Sequence, residues 1–518
     1  MNGAQALIRT LVDAGVDTCF MNPGTSEMHF VAALDDVPEM HSVLALFEGV
    51  ATGAADGYAR MAGSPAASLL HLGPGLGNGL ANLHNARRGR VPLVNIVGDH
   101  ATYHAQYDAP LQSDISAIAS SLEGWVHSCT DPDAVARDAA AAVAAAQGPP
   151  GQVATLILPA DVCWLDSSGP ATPIAPATAP EASENAIAEA AAALSGQGAA
   201  ALMVGGAACM QDAVELAGAV CANSGANLLA ETFPARLQRG AGRVEPQRLG
   251  YLAEFAQAQL AGLQHLILVE SSRPVSFFAY PDKASDLVPE GCQVHVLTAP
   301  GENSVAALSQ LLERLGGDAE PVRQAAARPE VPSGSLDAES MANVVGALLP
   351  EGAIVADEGN TTGLFVSGAT AGAPPHDWLT LPGGAIGFGM PVATGAAVAS
   401  PGRKVLNLES DGSAMYTFQS LWTQVREGLD VTTVILNNSS YAVLEMELAR
   451  VGASAGGEKA HEMLDLTGPD LDFVSLARGL GVEQASRATT AEEFAEQLAA
   501  GLATEGPALI EAVVPPLL

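Results

Sequence analysis

The sequence predicts an α/β protein made of three doubly wound parallel-sheet domains. Short apolar runs alternate with Ala-rich amphipathic stretches along the whole chain. Strands separated by helical patterns of about 10–15 residues are what parallel sheets with helical crossovers require. Two Pro-, Ala- and Ser-rich segments, 166–185 (DSSGPATPIAPATAPEASEN) and 316–336 (GGDAEPVRQAAARPEVPSGSL), lack any hydrophobic period and read as surface connections. They divide the chain into 1–165, 186–315 and 337–518.

In the first piece SLLHL, VPLVNIVGD and ATLILPADV read as buried strands, and HSVLALFEGVATGAADGYARMAG as a helix-like run. In the second, ALMVG, LILVES and QVHVL are the strands; in the third, AIVADE, KVLNLES, VTTVILNN and ALIEAVV. Ligands of such sheets sit at the carboxyl ends of the strands, so functional residues are expected just after these runs.

Composition narrows the function classes. The chain carries 57 acidic against 22 basic residues, a net charge of −35, so it lacks the cations that neutralise a nucleic-acid backbone. An anionic ligand would need a metal ion or backbone amides. Hydrophobic content of 48% with 15% charged residues suits large cores and an oligomer interface. No uninterrupted apolar run approaches the roughly 20 residues of a membrane span. The N-terminus lacks the pattern of a secretory signal, and the six cysteines are scattered without a C-x-x-C pair. A cytoplasmic protein with buried free thiols is expected.

The segment 404–438 is the most informative. KVLNLE ends in Ser410-Asp411-Gly412-Ser413, a helical pattern follows, and VTTVIL ends in Asn437-Asn438. A right-handed crossover sets the two strand ends side by side. Asp411 and Asn438 then meet at one sheet edge, and a carboxylate with an amide oxygen suits Mg²⁺. Gly412 and Ser413 open a helix, whose free N–H groups favour an anion.

This pattern resembles the fingerprint of thiamine-diphosphate enzymes, within the acetolactate synthase, benzoylformate decarboxylase and benzaldehyde lyase group. The resemblance spans essentially the whole chain and makes the three domains pyrimidine-binding, central and diphosphate-binding. It implies thiamine diphosphate and Mg²⁺ as cofactors, with Asp411, Asn438 and the Ser440 carbonyl on the metal. Asn360, Thr361, Gly412, Ser413 and Tyr441 would line the diphosphate. In Leu381–Pro391 (LPGGAIGFGMP), Ile386 would bend the cofactor and the Gly384 carbonyl would bond its aminopyrimidine. Glu48, ahead of Gly53, Ala55, Gly57, Tyr58, Ala59 and Arg60 in a G-x-A-x-G-Y-A-R run, would activate the pyrimidine ring. Glu48 and Asp411 would come from different subunits, which implies a homodimer or homotetramer.

Asn22-Pro23-Gly24-Thr25-Ser26-Glu27 resembles the N-P-G-S-N-E loop of benzoylformate decarboxylase, with Thr25 in place of its active-site Ser. His71 matches that enzyme's proton-relay histidine, and Gln112 the pocket glutamine of acetolactate synthases. Gly73-Pro-Gly75-Leu-Gly77-Asn78-Gly79 looks like a dinucleotide loop but has Asn78 where G-x-G-x-x-G needs Gly. The implied activity is decarboxylation or carboligation of a small 2-oxo acid through a C2 carbanion and an enamine. The alternatives are a lyase acting on 2-hydroxy ketones or 2-hydroxyacyl thioesters, and a catalytically silent binding homologue. The chain departs from acetolactate synthases: it has no Lys soon after Gln112, no Trp after Asn437-Asn438, and no glycine-rich FAD segment. The second benzoylformate decarboxylase histidine falls near Ala279. FAD is expected to be absent.

Overall fold

The apolar runs are strands, and most are buried over the greater part of their length because helices cover both faces of each sheet. The computed structural model describes residues 1–453 and 456–517. The first sheet has six parallel strands in the order His41–Leu44, Thr18–Asn22, Ala66–Leu70, Leu93–Asp99, Val153–Pro159 and Val126–Ser128. The second has five, in the order Gln247–Arg248, Asn227–Ala230, Ala199–Val204, Leu263–Val269 and Gln293–Thr298, all parallel.

The third sheet has seven strands: Gln484–Ala488, Ala508–Val513, Val431–Asn437, Val405–Ser410, Ile354–Glu358, His376–Leu379 and Arg236–Arg239. Its last strand adds one antiparallel edge to an otherwise parallel sheet. Arg236–Arg239 comes from the middle third of the sequence and pairs antiparallel with His376–Leu379. Arg236 Nε donates to Asp377 Oδ1 at 2.8 Å, and the Arg239 guanidinium lies 5.0 Å from the Trp378 ring. The two arginines hold this edge strand by ion pair and cation–π contact.

His41–Leu44 corrects an expectation. It is a strand paired with Thr18–Met21, and the helix begins only at Glu48. Glu48 therefore stands just past a strand end, at the ligand-binding edge of the first sheet.

The first and third sheets meet through two helices, Glu48–Ala62 and Gly389–Ala399, whose backbones nearly touch. A Cβ on Gly57 would lie 2.1 Å from the Val392 carbonyl oxygen, and one on Gly395 would lie 1.7 Å from that of Ala54. Arg60 and Asp56 form a fully buried i,i+4 ion pair beside this seam. Arg60 Nη1 also donates to the carbonyls of Ala235 at 2.9 Å and Thr380 at 2.8 Å, so one guanidinium joins three parts of the chain.

All six cysteines are unpaired, five of them buried, and burial pushes those five thiols up. Among the described residues no helix is long and apolar enough to cross a membrane.

The glycine seam generates a prediction. Gly57→Ala or Gly395→Ala forces a methyl group into backbone and should destabilise the chain by about 1–3 kcal/mol. Denaturant unfolding should show this as a lowered midpoint, whereas Gly77→Ala, in a helix with open space beside it, should cost less.

Candidate active site

Asp411 follows the strand Val405–Ser410 and opens the helix Asp411–Thr417. Its carboxylate is buried and accepts three backbone N–H groups: Gly412 on Oδ1 at 2.8 Å, Asn438 and Ser439 on Oδ2 at 3.0 and 2.7 Å. The crossover thus brings together the two motifs that stand 27 residues apart. Burial still raises the Asp411 carboxyl above its ordinary value, because desolvation outweighs those donors. A cation beside it would reverse that effect. Asn438 Oδ1 takes the Ser440 N–H at 3.0 Å, which folds Asn438–Ser440 into a tight loop with Ser439 in the left-handed region at φ 55°.

Ser410, the last residue of the strand, has φ −78°, where any residue fits. Its side chain links the neighbouring loop: Ser410 Oγ donates to the Glu358 carbonyl at 2.8 Å, and Asn360 Nδ2 donates to Ser410 Oγ at 2.8 Å. Asn360 also reaches Ser413 Oγ at 3.3 Å. Thr361 is the cap of a short 3₁₀ turn, and Thr362, not Thr361, faces Asn438 Nδ2 at 3.4 Å. The Tyr441 ring lies against Gly412, where a Cβ would come within 2.4 Å of it. Asn360, Thr361, Asp411, Gly412, Ser413, Asn438, Ser440 and Tyr441 thus surround one sheet edge.

The glycine-rich segment 381–391 runs beside that edge. Gly384 and Gly387 have φ of 69° and 87°, which glycine alone adopts readily. Ile386 is half-buried between them. Asn85 brackets Ala385, donating to its carbonyl at 2.8 Å and accepting its N–H at 3.2 Å. On the other side the Glu358 carboxylate accepts from the backbone N–H of Gly387, Phe388 and Gly389, at 2.8, 2.8 and 2.6 Å. Glu409 sits beside it and accepts from Met390 N at 3.1 Å. Burial pushes Glu358 up to about 7 and raises Glu409 as well, the adjacent Glu358 adding to the rise. Two buried carboxyls this close do not both ionise.

A second cluster lines the edge of the first sheet. Glu48 is 8% exposed, and its Oε2 accepts from Asn78 Nδ2 at 3.0 Å. The apparent dinucleotide loop is not a loop: residues 72–88 form one helix, with Gly75 packed against Glu48 and Gly79 against Thr52. These glycines allow close helix packing, and Asn78 is the residue that reaches the acid. His71 caps this helix. Its Nδ1 lies 2.8 Å from Glu27 Oε2 and 3.3 Å from Ser26 Oγ. The Glu27 side chain is fully buried and takes further bonds from Gly24 N at 2.7 Å and Ser26 Oγ at 2.6 Å. With Nδ1–H donated to Glu27, the His71 Nε2 is the atom left to carry a proton. Thr25 is exposed, and it is Ser26 that bonds the histidine. Gln112 lines a separate cavity of about 440 Å³ with Asp99, Ser113 and Asp114. Its Oε1 is buried without a hydrogen-bond partner in the chain. Its neighbour Ser113 contacts Gly73, which places this cavity beside the first turn of the His71-capped helix.

Comparison with known proteins decides the family. Residues 1–120 match the N-terminal TPP binding domain of thiamine pyrophosphate enzymes, and residues 359–512 match the C-terminal TPP binding domain. A Mycobacterium tuberculosis protein named "Putative acetolactate synthase large subunit IlvX" is 58% identical over 519 residues, covering 100% of both chains. The chain belongs to the thiamine pyrophosphate enzyme family. Benzoylformate decarboxylase of Pseudomonas aeruginosa is 31% identical, over 96% of each chain. The fold agrees with that of the Rhodococcus jostii thiamine diphosphate-dependent 4-hydroxybenzoylformate decarboxylase, at a TM-score of 0.87, 24% identity and 99% coverage of both chains.

The residues present fit the family's cofactor. Glycines 384, 387 and 412 let Phe277, Tyr416 and Tyr441 pack against backbone around this edge, and the Asp411 helix start offers N–H groups to an anion. Among the described residues no three His, Cys, Asp or Glu side chains converge as a metal cluster. A cation at Asp411 would therefore rely on amide, carbonyl and phosphate oxygens, the donor set Mg²⁺ prefers.

Asn78→Ala removes a donor from Glu48 and leaves the helix packing glycines in place. It should lower turnover by roughly tenfold while thermal stability changes little, a difference that steady-state kinetics and a melting curve would separate.

Proposed function

We propose that this chain is a thiamine-diphosphate- and Mg²⁺-dependent decarboxylase or carboligase of small 2-oxo acids, of acetolactate synthase-like type. The observation that carries the reading is the meeting of Asp411 and Asn438 at one sheet edge, beside the glycine loop that carries Ile386. Asp411, Asn438 and the Ser440 carbonyl would hold the metal; Asn360, Thr361, Gly412, Ser413 and Tyr441 would border the diphosphate. When bound, thiamine diphosphate supplies a nucleophilic carbon and an electron sink for the bond to CO₂.

The chain's own residues supply the rest. Glu48 gives or takes a proton at the pyrimidine ring, and Asn78 fixes the direction of its carboxylate. His71 Nε2, held by Glu27 on the opposite nitrogen, moves protons at the substrate. The Gln112 amide, with its free oxygen, binds polar groups of substrate or acceptor. No step in this scheme calls on a flavin.

Two copies complete the site in this reading, with Glu48 of one facing Asp411 of the other. Large apolar side chains stand exposed in both halves: Met28 next to Glu27 and Leu46 two residues before Glu48, Met415 and Tyr416 in the helix that Asp411 opens. A partner chain would cover them. The same composition and scattered buried thiols support a cytoplasmic enzyme.

Incubation with thiamine diphosphate, Mg²⁺ and a panel of 2-oxo acids, alone and paired with aldehydes, tests the reaction. Aldehyde alone marks a decarboxylase; acetolactate or an acyloin marks a carboligase. Tight cofactor binding with neither product overturns the 2-oxo acid reading and turns the search to 2-hydroxy ketones and 2-hydroxyacyl thioesters. Glu48→Gln should cut turnover by about 10²–10⁴-fold with the cofactor still bound. Full activity in that variant would remove Glu48 from the mechanism.

A further inference from the structure

The Glu358–Glu409 pair has no part in the proposed chemistry, yet it is the most completely buried acidic pair near the site. Glu358 is 2% exposed and Glu409 0% exposed. Burying an acid is expensive unless it gains bonds of equal worth. Among the described residues neither forms an ion pair with Lys, Arg or His. Their main partners are instead four successive backbone N–H groups, Gly387, Phe388 and Gly389 on Glu358 and Met390 on Glu409, with Asn407 Nδ2 donating to Glu409 at 3.4 Å. These belong to the end of the glycine loop and the first turn of the helix Gly389–Ala399, where N–H groups have no partner of their own.

The consequence is directional. Gly387 has φ 87°, which turns its N–H to Glu358 and its carbonyl to Asn82 Nδ2 and Thr417 Oγ1, which donate to it at 3.2 and 3.1 Å. That orientation decides where Ile386 stands. Gly389 has no room for a side chain, since a Cβ there would lie 2.4 Å from Glu409 Oε2. Glu358 also takes the Ser410 hydroxyl on its own carbonyl, and Ser410 takes the Asn360 amide. One residue therefore joins the loop proposed for the pyrimidine to the loop proposed for the diphosphate.

We propose that Glu358 is a positioning residue whose carboxylate sets the loop carrying Gly384 and Ile386 in its ligand-ready conformation before the cofactor binds. The inference rests on the functional reading above for what the loop receives. The clamp itself is a property of the cofactor-free chain.

Hydrogen–deuterium exchange on the cofactor-free full-length protein tests it. Peptides spanning residues 384–390 should be protected before thiamine diphosphate is added. Glu358→Gln, which puts an NH₂ group against backbone donors, should release that protection while far-UV circular dichroism stays native. It should weaken thiamine diphosphate binding by roughly tenfold in calorimetry with Mg²⁺ present. Free exchange of these amides in the wild-type chain, with protection only after cofactor is added, overturns the proposal. So does a Glu358→Gln chain with wild-type exchange and wild-type cofactor affinity. If that variant fails to fold, wild-type exchange alone decides. A protected wild-type loop in a chain that binds no thiamine diphosphate upholds the clamp and overturns the functional reading instead.

Discussion

Everything near the candidate site depends on the close approach of the helices Glu48–Ala62 and Gly389–Ala399. At Gly57 and Gly395 the two backbones leave no space for even a methyl group. Such contact needs glycine on both sides and gains dispersion along the whole crossing. The first helix starts with Glu48, and the second starts where the Ile386 loop ends. Locking the two helices therefore sets the positions of an acid on the first sheet and a glycine loop on the third. The Arg60–Asp56 pair beside the seam adds directional bonds to Ala235 and Thr380 that a greasy contact alone lacks.

The acidic chain has few cations to offer an anionic ligand, and the site is built accordingly. Around Asp411 the groups that answer negative charge are backbone N–H groups, three of which already converge on its carboxylate. The same device recurs at Glu358, with three more. Oriented amides cost little to bury when each has an acceptor, and they cannot swing away as Lys side chains do. A net charge of −35 and a polyanionic cofactor are compatible on these terms.

Much of the site was legible because it is local. The spacing from Asp411 to Asn438 is one strand–helix–strand unit, and the hand of that unit is not free. Ser410 was readable as harmless once its place at a strand end was clear, and its φ of −78° agrees. What stayed hidden depends on distant partners. Asn78 looked like a failed glycine, because its role comes from Glu48, 30 residues earlier. Glu27 stood in plain view within its turn, but only the fold brings His71 to it across 44 residues. Glu358 reads as one more polar residue at the end of a strand until the loop 29 to 31 residues later folds back onto it. The strand Arg236–Arg239 was invisible for the same reason: its partner lies in the last third of the chain. His41–Leu44 was lost differently, since its apolar residues merge without a break into the helix pattern that follows.

The division of labour among the acids follows from what each carboxylate touches. Glu48 has a single side-chain donor, Asn78, and stands buried just past a strand end. It keeps an oxygen free for a ligand. Glu27, Glu358 and Asp411 each accept three bonds from the chain itself. A carboxylate so fully engaged cannot change partners without breaking backbone bonds, so Glu27 and Glu358 suit holding and not proton transfer. Asp411 is the exception, and the cation proposed there would account for it. Its three N–H donors lie in the chain that follows it and in the Asn438 loop, and they fix the carboxylate's orientation without closing off every lone pair. Bond count thus sets Glu48, the acid proposed for proton transfer, apart from Glu27 and Glu358, whose carboxylates are taken up by the chain itself.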